Sequence, residues 1–206
     1  MAEIYSYDGV VPVIDPSAFV HPSAVIIGDV IIGPNVYVAP LASLRGDLGR
    51  LIIGAGSNIQ DCVVIHGFPR TDTTVGEDGH IGHGAIIHAC TLERNVLVGM
   101  NAVIMDKAIV GESSIIAASA FVPAQARIPP RSLAVGTPAK VLRELTAEEL
   151  AWKPEATGTY QYLRRASMRS LVPCIPLAAV EPNRRRCNEP DILPLSETKQ
   201  RAKTKQ

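Results

Sequence analysis

Aliphatic residues recur along this chain with a period of six. From Ile14 the steps land on Val20, Ile26, Ile32, Val38 and Leu44. A second run holds Ile53, Ile59 and Ile65, and a third holds Val75, Ile81 and Ile87. The longest runs from Leu92 through Val98, Ile104, Val110, Ile116 and Val122 to Ile128. Four residues after an anchor the side chain is often small or β-branched, as at Ala18, Ala24, Val30, Val36, Ala42, Ala102, Ala108 and Ala120. An amphipathic helix would repeat every ~3.6 residues. A sustained period of six instead predicts a repeat architecture, in which each short unit is covered by the next. Each hexad reads as a short strand and a bend, and three hexads as one turn of a triangular coil. The anchor points inward and stacks on its copies above and below, while the small residue keeps the corner tight. Strands alternate sides with period two, and stacking pairs the backbone groups of successive coils. The prediction is an all-β parallel β-helix over residues 1–140.

The repeat ends in the stretch IPPRSLAVGTPAKVLREL. Thr146, followed three residues later by Glu149, has the spacing of a helix N-cap with a capping-box glutamate. One or two helices are predicted in a segment spanning 141–172, with a break near Pro154 and a continuation through Tyr160 to Arg165. Pro173, Pro176 and Pro182 stop any helix. Residues 173–206 carry Arg184-Arg185-Arg186 and a Lys/Arg-rich end, the composition of a mobile or partner-docked tail.

Composition narrows the class. Apolar residues make up 47% of the chain but aromatics only 4%, so the core must be built from Ile, Val, Leu and Ala. Net charge is zero at neutral pH, which removes bulk attraction to nucleic acid or anionic lipid. No apolar run approaches the ~18 residues of a membrane span. The opening MAEIYSYDGVVPVID has no basic region followed by an apolar one. The four cysteines form no Cys-x-x-Cys pair, so reduced thiols in a cytoplasmic protein are expected.

The chemistry sits where the repeat breaks. The step from Leu44 to Ile53 is nine and contains Arg45-Gly46-Asp47. The step from Ile65 to Val75 is ten, which inserts a loop around Gly67 to Asp72. If Ile65 lies on face one, Val75 opens face two, Ile81 opens face three and Ile87 returns to face one. His66 and His88 each follow their anchor by one residue and therefore stack on adjacent coils. His83 follows its anchor by two, one face earlier, and projects from a different edge. Two histidines at one edge and a third at another predict a site completed by a neighbouring subunit, and a homotrimer closes three equal sites. Three imidazoles and a water are a catalytic zinc sphere. His80 has no such register and reads as a supporting or structural residue, and His21 as a surface residue. Arg45 and Asp47, two apart on a strand, point the same way and can pair across a subunit boundary. Gln60 and Asp61 can orient a metal-bound water or its substrate. For Asn58 and Asp61 the alternative is hydrogen bonding that closes a tight bend.

Arg45-Gly46-Asp47, Asn58-Ile59-Gln60-Asp61, His66-Gly67, Gly82-His83-Gly84 and His88 together resemble the γ-class carbonic anhydrase family of hexapeptide-repeat proteins. Within it, SLRGDLGRL, NIQDCVVIHGFP, VGEDGHIGHGAIIHACTL and GTYQYL are most similar to the branch that serves phenylacetate breakdown (the PaaY-like proteins) and its carnitine-operon relatives. The resemblance runs from about Ile4 to Leu171. It implies a left-handed coil, a homotrimer, and Zn2+ (or Fe2+ or Co2+) held by His66 and His88 of one chain and His83 of its neighbour. It further implies that Arg45 and Asp47 bridge subunits, that Gln60 positions the metal-bound water, and that Tyr160 reaches over the site. One departure stands out. Leu48 occupies the place of an acidic residue that moves protons in the best-studied γ-class enzymes, and Gly67-Phe68-Pro69 supplies no acid after His66. CO2 hydration should therefore be weak. The reading that follows is a metal-dependent acyl-CoA thioesterase in phenylacetate catabolism. Carbonic anhydrase, a CoA-dependent hexapeptide acyltransferase and a non-catalytic helper are the alternatives.

Overall fold

A computed structural model describes residues 2–187 and, beyond them, Ile192, Leu193, Leu195, Glu197 and Thr198. Short parallel strands wind through about seven coils with three faces. Face one stacks Val25–Ile32, Ser43–Ile53, Val64–His66, Ile86–His88, Val103–Ile104 and Phe121–Val122. On face two, Ile53 pairs with Val75, Val75 with Leu92, Leu92 with Val110 and Val110 with Ile128. Face three runs from Phe19–Val20 through Tyr37–Val38, Asn58–Ile59, His80–Ile81, Leu97–Val98 and Ile115–Ile116 to Ser132–Val135. The hexad anchors from Ile26 to Ile116 are fully or almost fully buried and form one continuous core. Truncating one of them to alanine leaves a cavity, at about 2–5 kcal/mol. Corners turn through residues in the left-handed region, among them Asn35 (φ 57°) and Lys107 (φ 57°).

Two features differ from the sequence reading. Arg45 and Asp47 share a strand as expected, but the strand does not stop where the repeat breaks at Arg45-Gly46-Asp47. The three residues lie inside a continuous strand, Ser43–Ile53, that bends from face one onto face two alongside Val25–Ile32. The extra residues are absorbed as a bulge: Gly28 pairs with Gly46, and the register then shifts so that Val30 pairs with Leu51. Gly46 is required there, because a β-carbon would collide with the Asp29 carbonyl.

The second difference is the helix, which is single and unbroken over Ala147–Ser170 with Pro154 inside it. Its start has the full capping box, with Glu149 N–H donating to Thr146 Oγ1 (3.3 Å) and Thr146 N–H to Glu149 Oε2 (2.8 Å). An interior proline removes a helical hydrogen bond, at about 3 kcal/mol. The helix persists because side chains on both sides of Pro154 are tied to the coil. Lys153 Nζ donates to the Asp78 carbonyl. Gln161 Nε2 donates to the carbonyls of Asn35 (2.9 Å) and Gly56 (2.8 Å), and Arg164 to that of Ser17 (2.5 Å). These carbonyls lie at successive corners, so the helix runs back along the prism toward its first coil. Leu171 to Cys187 form no helix or strand and are exposed, and the Lys/Arg-rich end at Arg201, Lys203 and Lys205 lies outside the described residues. No described helix is long and apolar enough to cross a membrane. The four cysteines are unpaired.

Candidate functional site

The stack divides the candidate residues between two edges of the prism. At the first, His88 pairs in register with His66, and His66 with Arg45. His66 Nε2 lies 2.9 Å from Asp47 Oδ1, and His88 Nδ1 lies 2.8 Å from Asp106 Oδ1. A carboxylate only accepts, so each imidazole donates an N–H there, and in the neutral ring the other nitrogen carries a lone pair. Those other nitrogens, His66 Nδ1 and His88 Nε2, face each other at 3.3 Å. Arg45 Nη1 donates to Asp47 Oδ2 at 2.8 Å within the same chain. Its Nη2 also lies 3.4 Å from His66 Nε2, but the shorter carboxylate contact sets the proton on that nitrogen. The pair forms inside one chain because residues two apart on a strand share a side.

The loop inserted after Ile65 frames this edge. It closes in a turn in which Thr71 N–H donates to the Phe68 carbonyl at 3.0 Å. Gly67 passes so close to the Leu48 carbonyl that a β-carbon would not fit. Beside the histidine pair lies a cleft of about 240 Å³ lined by Phe68, Thr71, Ala89, Asp106, Lys107, Ala124 and Gln125.

At the second edge, His83 Nδ1 lies 2.8 Å from Asp61 Oδ2, and the Tyr160 hydroxyl lies 3.4 Å from His83 Nε2. Burial, then the Asp61 and Tyr37 charges, push the Tyr160 phenol up to about 12, so it stays neutral. Behind His83 is a buried amide network. Gln60 Oε1 accepts the His83 backbone N–H (3.2 Å), while Gln60 Nε2 donates to Asn58 Oδ1 (2.9 Å) and to His80 Nε2 (2.8 Å). Gln60 therefore braces His83 within one chain and does not face the His66–His88 pair. Burial first, then the Lys153 and His83 charges, lower His80 to about 3, so it accepts from Gln60 as a neutral ring. The Tyr160 ring packs edge-on to His80, with centroids 5.2 Å apart. His21 bonds Ser23 locally, at 2.8 Å.

Asp106 and Lys153 carry this architecture and escaped the sequence reading. Asp106 stands one coil of eighteen residues beyond His88, so stepping by the coil length would have found it. No sequence signal marks Lys153, whose burial depends on where the helix docks.

A divalent cation fits these donors. Two nitrogens on one tetrahedral zinc, at about 2.0–2.1 Å from the metal, stand about 3.3 Å apart, the spacing of His66 Nδ1 and His88 Nε2. The carboxylates behind the rings are the supports that metal-bound histidines use. Within one chain the third histidine stays at the other edge, and no group of three His, Cys, Asp or Glu ligands forms among the described residues.

No protein-family model matches the chain. The carnitine operon protein CaiE of Citrobacter koseri is 57% identical over 88% of this chain and 92% of its own. The crystal structure of a hexapeptide transferase family protein from Anaplasma phagocytophilum superposes with a TM-score of 0.77 at 39% identity, covering 80% of this chain and 97% of that one. AntD, an N-acyltransferase from Bacillus cereus, has a TM-score of 0.61 at 18% identity over 77% of this chain and 98% of its own, and shares the fold alone. The coil is thus the left-handed parallel β-helix of hexapeptide-repeat proteins. Its extent of identity shows that the chain belongs to the family of the carnitine operon protein CaiE.

Proposed function

We propose that the protein is a metal-dependent acyl-CoA thioester hydrolase that works as a homotrimer, with Zn2+ (or Fe2+ or Co2+) held by His66 and His88 of one subunit and His83 of the next. The observation that carries this reading is the 3.3 Å approach of two imidazole nitrogens whose other nitrogens are both committed to carboxylates. Two lone pairs at that distance repel unless a cation or a proton lies between them. A metal there supplies Lewis acidity toward a carbonyl and an acidified water. Asp47, Asp106 and Asp61 keep the three rings in one tautomer and turn their free nitrogens outward. The cleft beside Asp106 has apolar walls at Phe68, Ala89 and Ala124 for a small or ring-bearing acyl group, and Lys107 at its rim suits an anionic carrier. The outward residues Val64 and Ile86, on the strands of His66 and His88, are about 40% exposed (38% and 41%) and supply an apolar surface for a neighbouring subunit. Leu48, half-exposed, offers no carboxylate to move protons, which favours thioester cleavage over fast CO2 hydration. The resemblance of the site motifs to the phenylacetate branch is what points to the substrate class, an aromatic acyl-CoA.

A second reading, CoA-dependent acyl transfer, is favoured by the His83–Asp61 pair and by the name of the Anaplasma relative. An imidazole oriented by a carboxylate is a competent general base for an acceptor hydroxyl or amine. One experiment separates the two. Thiol release from phenylacetyl-CoA is followed with and without a chelator, and with and without an amine acceptor, alongside metal analysis. Hydrolysis predicts release that needs metal and no acceptor. Release that survives chelation and requires the acceptor overturns it in favour of transfer.

A further inference from the structure

The chain is neutral, yet its charge is segregated by position. Residues 1–44 contain Glu3, Asp8, Asp15 and Asp29 and no Lys or Arg. Asp29 pairs with Arg50 at 3.0 Å, while no Lys or Arg among the described residues forms an ion pair with Glu3, Asp8 or Asp15. The opposite charge follows the helix, where Arg184-Arg185-Arg186 close a stretch that begins at Leu171 and is apolar as far as Val180. Arg184 is already paired with Glu181 at 3.1 Å, so Arg185 and Arg186 carry the arm's net charge.

The two regions also match in what they leave uncovered. The strands of the first coil, Glu3–Tyr5, Val13–Ile14 and Phe19–Val20, each pair on one side only, so their outer backbone groups form an open edge. Val11 and Val13 beside it are 65% and 61% exposed. At the far end of the prism the chain covers its own last strand, Ser132–Val135, with the antiparallel strand Lys140–Glu144. On the arm, Ile175 and Val180 are 91% and 81% exposed. Arg164 is bonded to Ser17 of the first coil, and the helix ends six residues later, about 9 Å on. The arm therefore starts beside the bare end of the prism. Its far end is tied back, because Trp152 Nε1 donates to the Leu193 carbonyl at 3.0 Å. The span from Leu171 to Leu193 has a contour of about 70 Å, against roughly 27 Å of helix from Trp152 to Ser170. That slack lets the arm loop outward.

From this complementarity we infer that the arm, Leu171 to Arg186, seats on the acidic, apolar first coil of a second copy of the chain. The inference rests on the trimer reading above. A threefold axis parallel to the prisms puts all three first coils, and all three helix ends, at one level. Within a single chain the arm and the edge are both left bare. Leu171 to Val180, extended, reaches about 30 Å, enough to cross to a neighbour. The apolar half of the arm then covers Val11 and Val13, and Arg185 and Arg186 meet the acids Glu3, Asp8 and Asp15.

The full-length protein tests this with its own Cys174, which adjoins Ile175. Val11→Cys is introduced in a Cys62→Ser/Cys187→Ser background, leaving buried Cys90 in place, and a short bismaleimide is added. The inference expects covalent dimers and trimers that require both Cys174 and the Val11→Cys thiol, and that are lost with Arg185→Glu/Arg186→Glu. A link confined within one chain, no link, or a link indifferent to charge reversal would overturn it. Native mass spectrometry of the same sample keeps the failures apart. A trimer without a cross-link removes the arm contact alone, whereas a monomer removes the trimer reading as well.

Discussion

The two edges of the prism use the same part in different settings. At each, an imidazole donates one N–H to a carboxylate and turns its other nitrogen outward. At the first edge two such nitrogens converge, and the His66 and His88 side chains are only 16% and 27% exposed. At the second a single nitrogen stands under Tyr160, and the His83 side chain is 46% exposed. Under the proposed function the first edge is a bidentate half-site held by the coil stack itself. The second is a lone donor held by a buried amide network and a docked helix. What separates them is the support, so changes to the stack and changes to the helix should act on different halves of the site.

The largest effect is expected from removing a converging donor. His66→Ala or His88→Ala should abolish stoichiometric metal and lower thiol release on the order of 1000-fold, about 4 kcal/mol of transition-state stabilisation. Metal analysis and initial rates check this together. Next come the supporting carboxylates. Asp106→Asn and Asp61→Asn should each weaken metal affinity about 10- to 100-fold, read by competition with a chromogenic chelator. Equal losses would show that both edges serve one cation, and a loss only for Asp106→Asn would split them.

Lys153 probes the helix side. Burial, with Arg94 adding to it and Asp78 opposing it, lowers its ammonium from 10.5 to about 7. Between those values the unfolded chain holds a proton that the folded chain has released. Stability should therefore rise with pH from about 7 toward 10.5, and Lys153→Met should lack that rise. Denaturant unfolding of both proteins at the two ends of the window measures it. The smallest effect is expected at the helix cap, where Thr146→Ala should cost about 1 kcal/mol in thermal or denaturant unfolding. Metal affinity should fall less than with Asp106→Asn, because the cap acts only through the helix that carries Tyr160.

Periodicity made the prism legible from the sequence. An aliphatic side chain every sixth residue leaves few ways to bury itself, and counting across the insertion after Ile65 already put His66 beside His88. The bend at Gly46 was less legible, since a step of nine can be a loop or a bulged strand, and only the close approach of the Asp29 carbonyl decides. Pro154 was misleading because its local penalty is offset by tertiary contacts from Lys153, Gln161 and Arg164. The role of Gln60 was hidden for a similar reason. Its position next to Ile59 was clear, but the direction of its amide depends on His80, one coil away.

The central claim is that one cation joins His66 and His88 of one subunit to His83 of another. Co-expressing His66→Ala chains with His83→Ala chains tests it most directly, with metal bound per trimer as the readout. Each variant alone should bind none stoichiometrically. Random mixed trimers should regain about a quarter of the wild-type metal, because an intact pair then meets an intact His83 at one interface in four. Mixed trimers that stay as empty as either parent, or a His83→Ala protein that binds a full complement alone, would contradict the account.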